Sequence, residues 1–208
     1  ATSAIAPADL PAVPPGTEAV FFGGISLCNP PVADSLTNMA LGVSASTLVM
    51  ADPNIRPGFA RDQAAYRDRL TRLLGRVDIA KLSDDDISWL VPQGDLTAKA
   101  HAVLAMGPRL LLLTEGGAGA TAYLRGGPSV RAAAQKVAVI DTVGAGDTFN
   151  AGCLMALRRA GALSPAALPT LDEAALAAML DYAARAAAIT VSRAGANPPW
   201  AHELEATA

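Results

Sequence analysis

Short apolar runs alternate with segments predicted to be helical along the first half of the chain. The strand-like runs cover residues 19–22, 47–51, 77–81 and 109–114, and turn signals at Gly23-Gly24 and Asp52-Pro53 close the first two. The predicted helices cover residues 33–41, 61–74, 84–90 and 96–106. This alternation favours a mostly parallel sheet that is covered by helices on both faces.

The pattern changes in the second half of the chain. Two short strand-like pieces, 120–124 and 129–131, flank Gly126-Gly127-Pro128 and predict a hairpin at the sheet edge. Residues 136–140 then lead into a glycine-containing segment, and helices are predicted over 148–159 and 172–192. The Pro/Ala-rich piece 163–170 between them is predicted to be a surface connection. The sequence has no internal repeat or linker, so one domain over residues 1–208 is expected.

Composition narrows the class of protein. Of the 208 residues 51% are hydrophobic, which is enough to bury one sizeable core. The net charge is −3 and the longest basic run is Arg158-Arg159, which argues against a nucleic-acid partner. No apolar run approaches the roughly 20 residues of a membrane-spanning helix, and residues 1–8 do not resemble a signal peptide. Cys28 and Cys153 form no disulfide framework, so a cytoplasmic protein with a small-molecule partner is expected.

The candidate chemistry lies at the start of the predicted helix 148–159. Gly144 and Gly146 flank Ala145, so the backbone can turn sharply and present N–H groups at a helix N-terminus, where partial positive charge attracts anions. Such donors stabilise the charge of a transferring phosphoryl group, and Asp147 can take the proton of an attacking hydroxyl. On spacing alone, a purely structural role, in which Asp147 caps the helix, is equally compatible.

A family resemblance supports the chemical role. Residues 141–149 read DTVGAGDTF and are followed by Ala151-Gly152, which resembles the C-terminal signature of the ribokinase-like (pfkB-type) carbohydrate kinases. The resemblance implies a three-layer α/β/α, Rossmann-like domain with a small lid. It also implies ATP-dependent phosphorylation of a sugar hydroxyl, with Asp147 as catalytic base and Gly144, Ala145 and Gly146 as the anion hole.

Two further segments resemble the family in the same order. Residues 52–57 read DPNIRP, which is similar to the family's D-x-N-x-R segment, and residues 23–27 read GGISL as in fructokinase-like members. The first match implies that Arg56 contacts the sugar together with Asp147 and that Asn54 lies in the nucleotide site. Residues 81–86 read KLSDDD where the family carries N-x-x-E. This second match implies that Lys81 and Ser83 contact the nucleotide and that Asp86 is an indirect Mg²⁺ ligand. Ser83 and Asp86 depart from the family pattern, and they equally fit a helix cap.

The segment 114–119 reads TEGGAG and resembles the family's ATP loop. The resemblance places five residues on the nucleotide: Thr114, Glu115, Gly116, Gly117 and Gly119. Gly117, Gly119 and Ala122 also fit a dinucleotide fingerprint, with Asp141 about 20 residues later. That alternative requires a helix after the loop, whereas residues 120–124 are strand-like. No Gly-Lys-Ser/Thr occurs, so a P-loop is excluded.

The resemblance also covers residues near the C-terminus. Ala184 takes the position at which many relatives place Asn or His over the adenine, so an apolar contact with the base is implied. A potassium-type cation is implied behind the anion hole, with a ligand set that includes five residues: Asp141, Val143, Thr190, Arg193 and Gly195.

The chain resembles the C-terminal two-thirds of these kinases, and their N-terminal part and lid are expected to lie outside it. A homodimer through that lid is one assembly that the resemblance allows. Fructokinases are the best match, with 2-keto-3-deoxygluconate kinase and ribokinase as alternatives. A nucleotide-binding module without kinase activity, either a fragment or a regulatory relative, is a second hypothesis.

Overall fold

A six-stranded sheet forms the centre of the molecule in the computed structural model, which describes residues 4–205. The strands are β1 (Ala19–Gly23), β2 (Leu48–Asp52), β3 (Ile79–Ser83), β4 (Leu110–Thr114), β5 (Ala120–Leu124) and β6 (Ser129–Ala132). Their order in the sheet is their order in the chain. Strands β1 to β4 are parallel, whereas β5 and β6 pair antiparallel with their neighbours. The predicted parallel sheet with an edge hairpin is confirmed.

The burial of each strand follows its place in the sheet. Every residue of β2 is buried, which agrees with the continuous apolar run of a strand covered on both faces. The edge strands are more open: β1 leaves Phe21 42% exposed, and the residues of β6 alternate between exposed and half-buried. The two faces of the central strands are therefore both covered by helices.

Seven α-helices connect or cover the strands in the described part of the chain, residues 4–205. They are α1 (Val32–Gly42), α2 (Gln63–Leu74), α3 (Asp84–Leu90), α4 (Leu96–Met106), α5 (Ala145–Arg159), α6 (Glu173–Val191) and α7 (Ala201–Glu205). Aspartate caps set three of the starts, because Asp62, Asp95 and Asp172 accept hydrogen bonds from backbone amides three residues later. The cap at Asp62 explains why α2 begins two residues after the predicted start at residue 61.

Two hydrophobic cores lie on opposite faces of the sheet, which confirms the three-layer α/β/α arrangement. On one face, side chains of α1 to α4 pack against alternate strand residues such as Val49 and Leu111. On the other face, α5 and α6 pack against the intervening residues, such as Met50 and Leu112. The period of two along each strand thus divides the apolar residues between the two cores.

Helices α5 and α6 are closely packed. A Cβ atom at Gly152 would lie 2.7 Å from Cα of Ala183, so the helix contact requires glycine at this position. The connection between the two helices differs from the prediction for 163–170, because Leu168 is fully buried in the core beneath them. The segment 163–170 is therefore packed against the protein and is not a free surface loop. Its Pro/Ala-rich composition gave no sign that Leu168 is buried.

Helix α6 is, among residues 4–205, the one helix long and apolar enough to meet the criteria for crossing a membrane. It passes by length and composition only, and its residues Leu176, Leu180 and Ala183 are buried against the sheet and α5. This packing is that of a core helix. Both cysteines, Cys28 and Cys153, are free and buried.

Candidate functional site

A cleft of about 700 Å³ lies where the carboxyl ends of the parallel strands meet the N-terminus of α5. Strands β3 and β4 contribute Ser83 and Thr114 to its wall, and α5 contributes Ala145 and Gly146. In open α/β sheets, ligands bind at this edge. The structure therefore brings the helix start and the strand-end residues into one site, as the sequence predicted.

The turn into α5 requires its first glycine. Gly144 has φ of +79°, in the left-handed region, and a Cβ atom there would lie 3.0 Å from Cβ of Ala196. The turn is closed by a hydrogen bond from the Ala145 amide to the Thr142 carbonyl (3.3 Å). The first amides of a helix have no carbonyl partner within the helix. The Ala145 amide is used in this turn, and the amide of Gly146, which lines the cleft, remains available to an anion.

A buried ion pair lies beneath Gly146. Nζ of Lys81 is 3.0 Å from Oδ2 of Asp52, and both side chains are less than 10% exposed. Nδ2 of Asn150 donates to the same carboxylate oxygen at 2.8 Å. A Cβ atom at Gly146 would lie 3.5 Å from the Lys81 ammonium and 3.9 Å from the Asp52 carboxylate. The start of α5 is therefore directly beside a lysine.

Asp147 occupies the first turn of α5 and is exposed to solvent. It follows Gly146, which lines the cleft, but Asp147 itself is not among the cleft-lining residues. Its carboxylate is thus free to meet a hydroxyl group that approaches from solvent. The alternative in which Asp147 caps the helix does not fit, because Gly144 takes the cap position.

Asp86 lines the cleft beside two other aspartates and is only 2% exposed. Its Oδ1 accepts the backbone amide of Ile55 at 2.7 Å and its Oδ2 that of Ser83 at 2.9 Å, while the Ser83 hydroxyl accepts the Asp86 amide. The cap role considered for these two residues is present. Each carboxylate oxygen accepts one backbone amide and has a second lone pair.

A divalent cation has hard oxygen donors available here. Asp84 and Asp85 are exposed, and both line the cleft beside Asp86. Within residues 4–205 no group of three or more His, Cys, Asp or Glu side chains could hold a metal by itself. This donor set fits Mg²⁺, which keeps several waters and is typically bound through one or two carboxylates together with substrate phosphates.

Arg56 and Asn54 line the cleft on the loop after β2. Asn54 has φ of +44°, and its amide donates to Oδ1 of Asp52 at 3.2 Å. Arg56 is exposed, and its guanidinium donates to the Ile55 carbonyl at 3.0 Å. Both residues therefore border the cleft, and the backbone of Asn54 contacts the carboxylate that pairs with Lys81.

The glycine loop after β4 lies along the cleft, with Gly116, Gly117 and Gly119 among the lining residues. A Cβ atom at Gly119 would lie 2.1 Å from the Ala132 carbonyl, so only glycine fits there. The loop enters strand β5 and not a helix, which excludes the dinucleotide alternative. Glu115 does not line the cleft, and its carboxylate pairs with Arg131.

An apolar wall closes the other side of the cleft. Helix α6 contributes Ala184, Ala187, Ala188 and Val191, which are spaced to lie on one helix face. Val137 and Val139 of the extended segment before α5 line it as well. The wall can cover the flat face of an aromatic base, while the opposite end presents N–H groups and charge.

The segments proposed to enclose a monovalent cation meet behind the helix start. Asp141 accepts the amides of Val143 at 3.0 Å and Gly195 at 2.9 Å. These backbone N–H groups, Val143 foremost, hold the pKa of the Asp141 carboxyl below its usual value. Thr190 donates to the Thr148 hydroxyl at 3.0 Å, and Arg193 pairs with Glu203. The loop before α5 is thus tied to the end of α6.

Sequence reasoning did not select Asp52, Asn150, Asp84 or Asp85 as site residues. A signal existed for the first two. Asp52 opens the DPNIRP segment at the end of a strand, and Asn150 lies four residues after Gly146 on the same helix face. Their contact joins residues 98 positions apart, and no local pattern reports such a contact.

Comparison with known proteins gives a consistent result. A family model described as "pfkB family carbohydrate kinase" matches residues 17–203. A fructokinase of Rhizobium leguminosarum bv. trifolii is 40% identical over 172 residues, which are 83% of this chain and 52% of that protein. The chain thus spans about half the length of this relative.

Two solved structures have the same fold. The fructokinase of Vibrio cholerae O395, with fructose, ADP and calcium bound, superposes with a TM-score of 0.81 at 22% identity over 98% of this chain and 64% of that one. The aminoimidazole riboside kinase of Salmonella enterica, bound to aminoimidazole riboside and an ATP analogue, gives 0.79 at 24% identity, covering 99% of this chain and 66% of that chain.

Proposed function

The chain belongs to the pfkB family of carbohydrate kinases, and from this premise we propose that it carries the nucleotide-binding and catalytic part of an ATP-dependent sugar kinase. The observation that carries the proposal is the glycine-flanked start of α5, which opens onto a cleft directly beside the Lys81 ammonium. A helix N-terminus and a lysine together provide the electrostatic field that a transferring phosphoryl group requires.

In this proposal the nucleotide lies along the cleft. The phosphates meet Lys81, Ser83 and the anion hole formed by the backbone of Gly144, Ala145 and Gly146, and the base rests on the apolar wall that includes Ala184. Thr114 and the glycine loop border the space between these ends. Mg²⁺ would be held by the phosphates and, through water, by Asp86. A monovalent cation such as K⁺ would sit behind the anion hole, near Asp141 and Thr190.

Asp147 acts as the general base. A sugar hydroxyl that approaches from solvent meets its carboxylate, which accepts the proton as the new P–O bond forms. Charge that develops on the phosphoryl oxygens is stabilised by the α5 amides and Lys81, and Arg56 orients the sugar. The exposure of Asp147 means that another element must exclude water during transfer, in keeping with a lid outside this chain.

The sugar is proposed to be fructose, because the relative at 40% identity is a fructokinase. The other sugars considered are 2-keto-3-deoxygluconate and ribose. The protein is proposed to act in the cytoplasm, with a homodimer formed through the lid as its assembly. No nucleic-acid or membrane partner is part of the proposal.

Two observations favour a second candidate function, a nucleotide-binding module without kinase activity. The chain spans 52% of its fructokinase relative, and Asp147 is open to solvent. A panel of sugars separates the two candidates, assayed with ATP and Mg²⁺ on the 208-residue chain and on a form extended at its N-terminus to the length of the relatives.

We expect the 208-residue chain to bind ATP weakly and to phosphorylate sugars at trace level, and the extended form to phosphorylate fructose fastest. Binding without phosphorylation in both forms would support the second candidate. No binding of ATP by either form would contradict both.

A further inference from the structure

Asp52 is a buried carboxylate next to the start of α5. Its side chain is 6% exposed, and both of its oxygens are engaged. Oδ1 accepts the Asn54 amide at 3.2 Å, while Oδ2 receives Lys81 at 3.0 Å and Asn150 at 2.8 Å. A carboxylate held at both oxygens cannot rotate, so the direction in which it holds Lys81 is fixed as well.

Asn150 contributes one face of this arrangement from α5. It is 2% exposed, and its Oδ1 has no hydrogen-bond partner among the described residues. A buried amide oxygen without a partner costs free energy, so the benefit of this side chain must come from its Nδ2 contact with Asp52. Because Gly146 and Asn150 are four residues apart, the anion site and this amide face the same ion pair.

The position of the ammonium group matters to a bound phosphate. A lysine side chain is a flexible four-carbon stem with three N–H donors, so its direction is set by its partners. One donor is directed at Asp52, and a Cβ atom placed on Gly146 would lie 3.5 Å from Nζ. An anion at the α5 N-terminus would therefore meet the ammonium group itself, provided that Asp52 keeps it there.

We propose that Asn150 is a positioning residue for the phosphate end of the cleft. It locks the Asp52 carboxylate, and Asp52 in turn directs Lys81 at the phosphates beside Gly146. Asn150 need not touch the nucleotide. The inference rests on the proposed nucleotide binding. It means that α5 contributes to the phosphate site through Asn150 as well as through the amides at its start.

The groups around Asn150 make a simple test possible. The Asn150 amide donates to Oδ2 of Asp52, and the same oxygen pairs with the Lys81 ammonium. Cys153, one turn further along α5, is buried, and burial raises the pKa of its thiol, so it stays uncharged. Asn150→Ala therefore removes one hydrogen bond to a charged group and adds no charge.

The experiment measures affinity for ATP·Mg²⁺ by calorimetry and for adenosine by NMR titration, which follows millimolar binding. Asn150→Ala should weaken ATP binding about tenfold, roughly the effect of one hydrogen bond to a charged group, and leave adenosine unchanged. Asn38→Ala is the matched control, because Asn38 is exposed on α1. This control should behave like the wild type with both ligands.

A double-mutant cycle with Lys81→Met tests the route of the effect. If Asn150 acts through Lys81, Asn150→Ala should cost no further ATP affinity in the Lys81→Met background. Additive losses would overturn the proposal, as would an equal loss of ATP and adenosine binding, which indicates a structural role only. If Lys81→Met does not fold, the comparison of ATP with adenosine decides alone. Absence of ATP binding by the wild type would instead contradict the proposed function.

Discussion

The variant Gly146→Ala tests whether the start of α5 binds phosphate or only turns the chain. The backbone at Gly146 is helical and outside the left-handed region, so an alanine is compatible with its conformation. The new methyl group would lie 3.5 Å from Nζ of Lys81 and 3.9 Å from Asp52, which are ordinary contact distances. Replacing glycine by alanine in a helix commonly stabilises a protein by about 0.4–1 kcal/mol. The variant should therefore be as stable as the wild type or slightly more stable.

Phosphate binding should nevertheless weaken. A phosphate oxygen bound to an ammonium group lies about 2.7–2.9 Å from it, and the methyl group would occupy the space beside Lys81 from which such an oxygen approaches. Losing one charged hydrogen bond costs about 1.5–3 kcal/mol, which corresponds to roughly a tenfold to hundredfold weaker affinity for ATP. Calorimetric titration with ATP·Mg²⁺ measures this affinity, and thermal unfolding reports the stability.

Gly42→Ala serves as the control, because a Cβ atom at Gly42 of α1 meets nothing within 4 Å. It should leave the affinity for ATP unchanged. Unaltered ATP affinity in Gly146→Ala would refute the reasoning and show that residues 144–146 only turn the chain. A loss of affinity together with a loss of thermal stability would point to misfolding.

Three further predictions concern single residues. In the N-terminally extended enzyme, Asp147→Asn should lower kcat by roughly 10²–10⁴-fold and leave the Kd of ATP unchanged, because the amide cannot accept the hydroxyl proton; retention of a tenth of the wild-type turnover would contradict this. Gly144→Ala should destabilise the fold by about 1–3 kcal/mol in chemical denaturation, since it combines a φ of +79° with a 3.0 Å contact at Ala196. The lowered pKa of Asp141 means that its contribution to stability is present above the unfolded pKa of about 3.9 and is lost as pH falls through the folded value. Asp141→Asn should therefore be less stable than the wild type near neutral pH, and the difference in melting temperature should vanish in acid.

Local patterns were sufficient to predict most of the fold. Helices α3 and α4 have the predicted bounds, because each begins at an acidic or capped position and ends where the apolar spacing stops. The hairpin of β5 and β6 was visible from its Gly-Gly-Pro turn. The start of α5 was placed three residues late, since the glycines of residues 144–146 read as loop although two of the three residues belong to the helix.

The interior of the site was harder to predict. The motif identified the residues along the cleft surface, but the pair formed by Asp52 and Asn150 depends on how α5 lies against β2. Leu168 was missed for a related reason, because one leucine in a Pro/Ala-rich piece has no periodic neighbours that mark it as buried. Both depend on tertiary packing, which a single sequence does not express locally.

The six strands have the same order in the sheet as in the chain, and this order has a consequence for biosynthesis. Within residues 4–205 no later strand is inserted between two earlier ones, so each of these strands can pair with its predecessor as soon as it leaves the ribosome. The helices of one face are interspersed with β1 to β4, whereas α5 and α6 come after all six strands. Until residue 191 has been synthesised, Leu48, Ile79 and Leu112 therefore face solvent on an uncovered sheet. A nascent chain at that stage presents the kind of apolar surface that chaperones bind, and helix α5, which borders the cleft, is among the last parts to be completed.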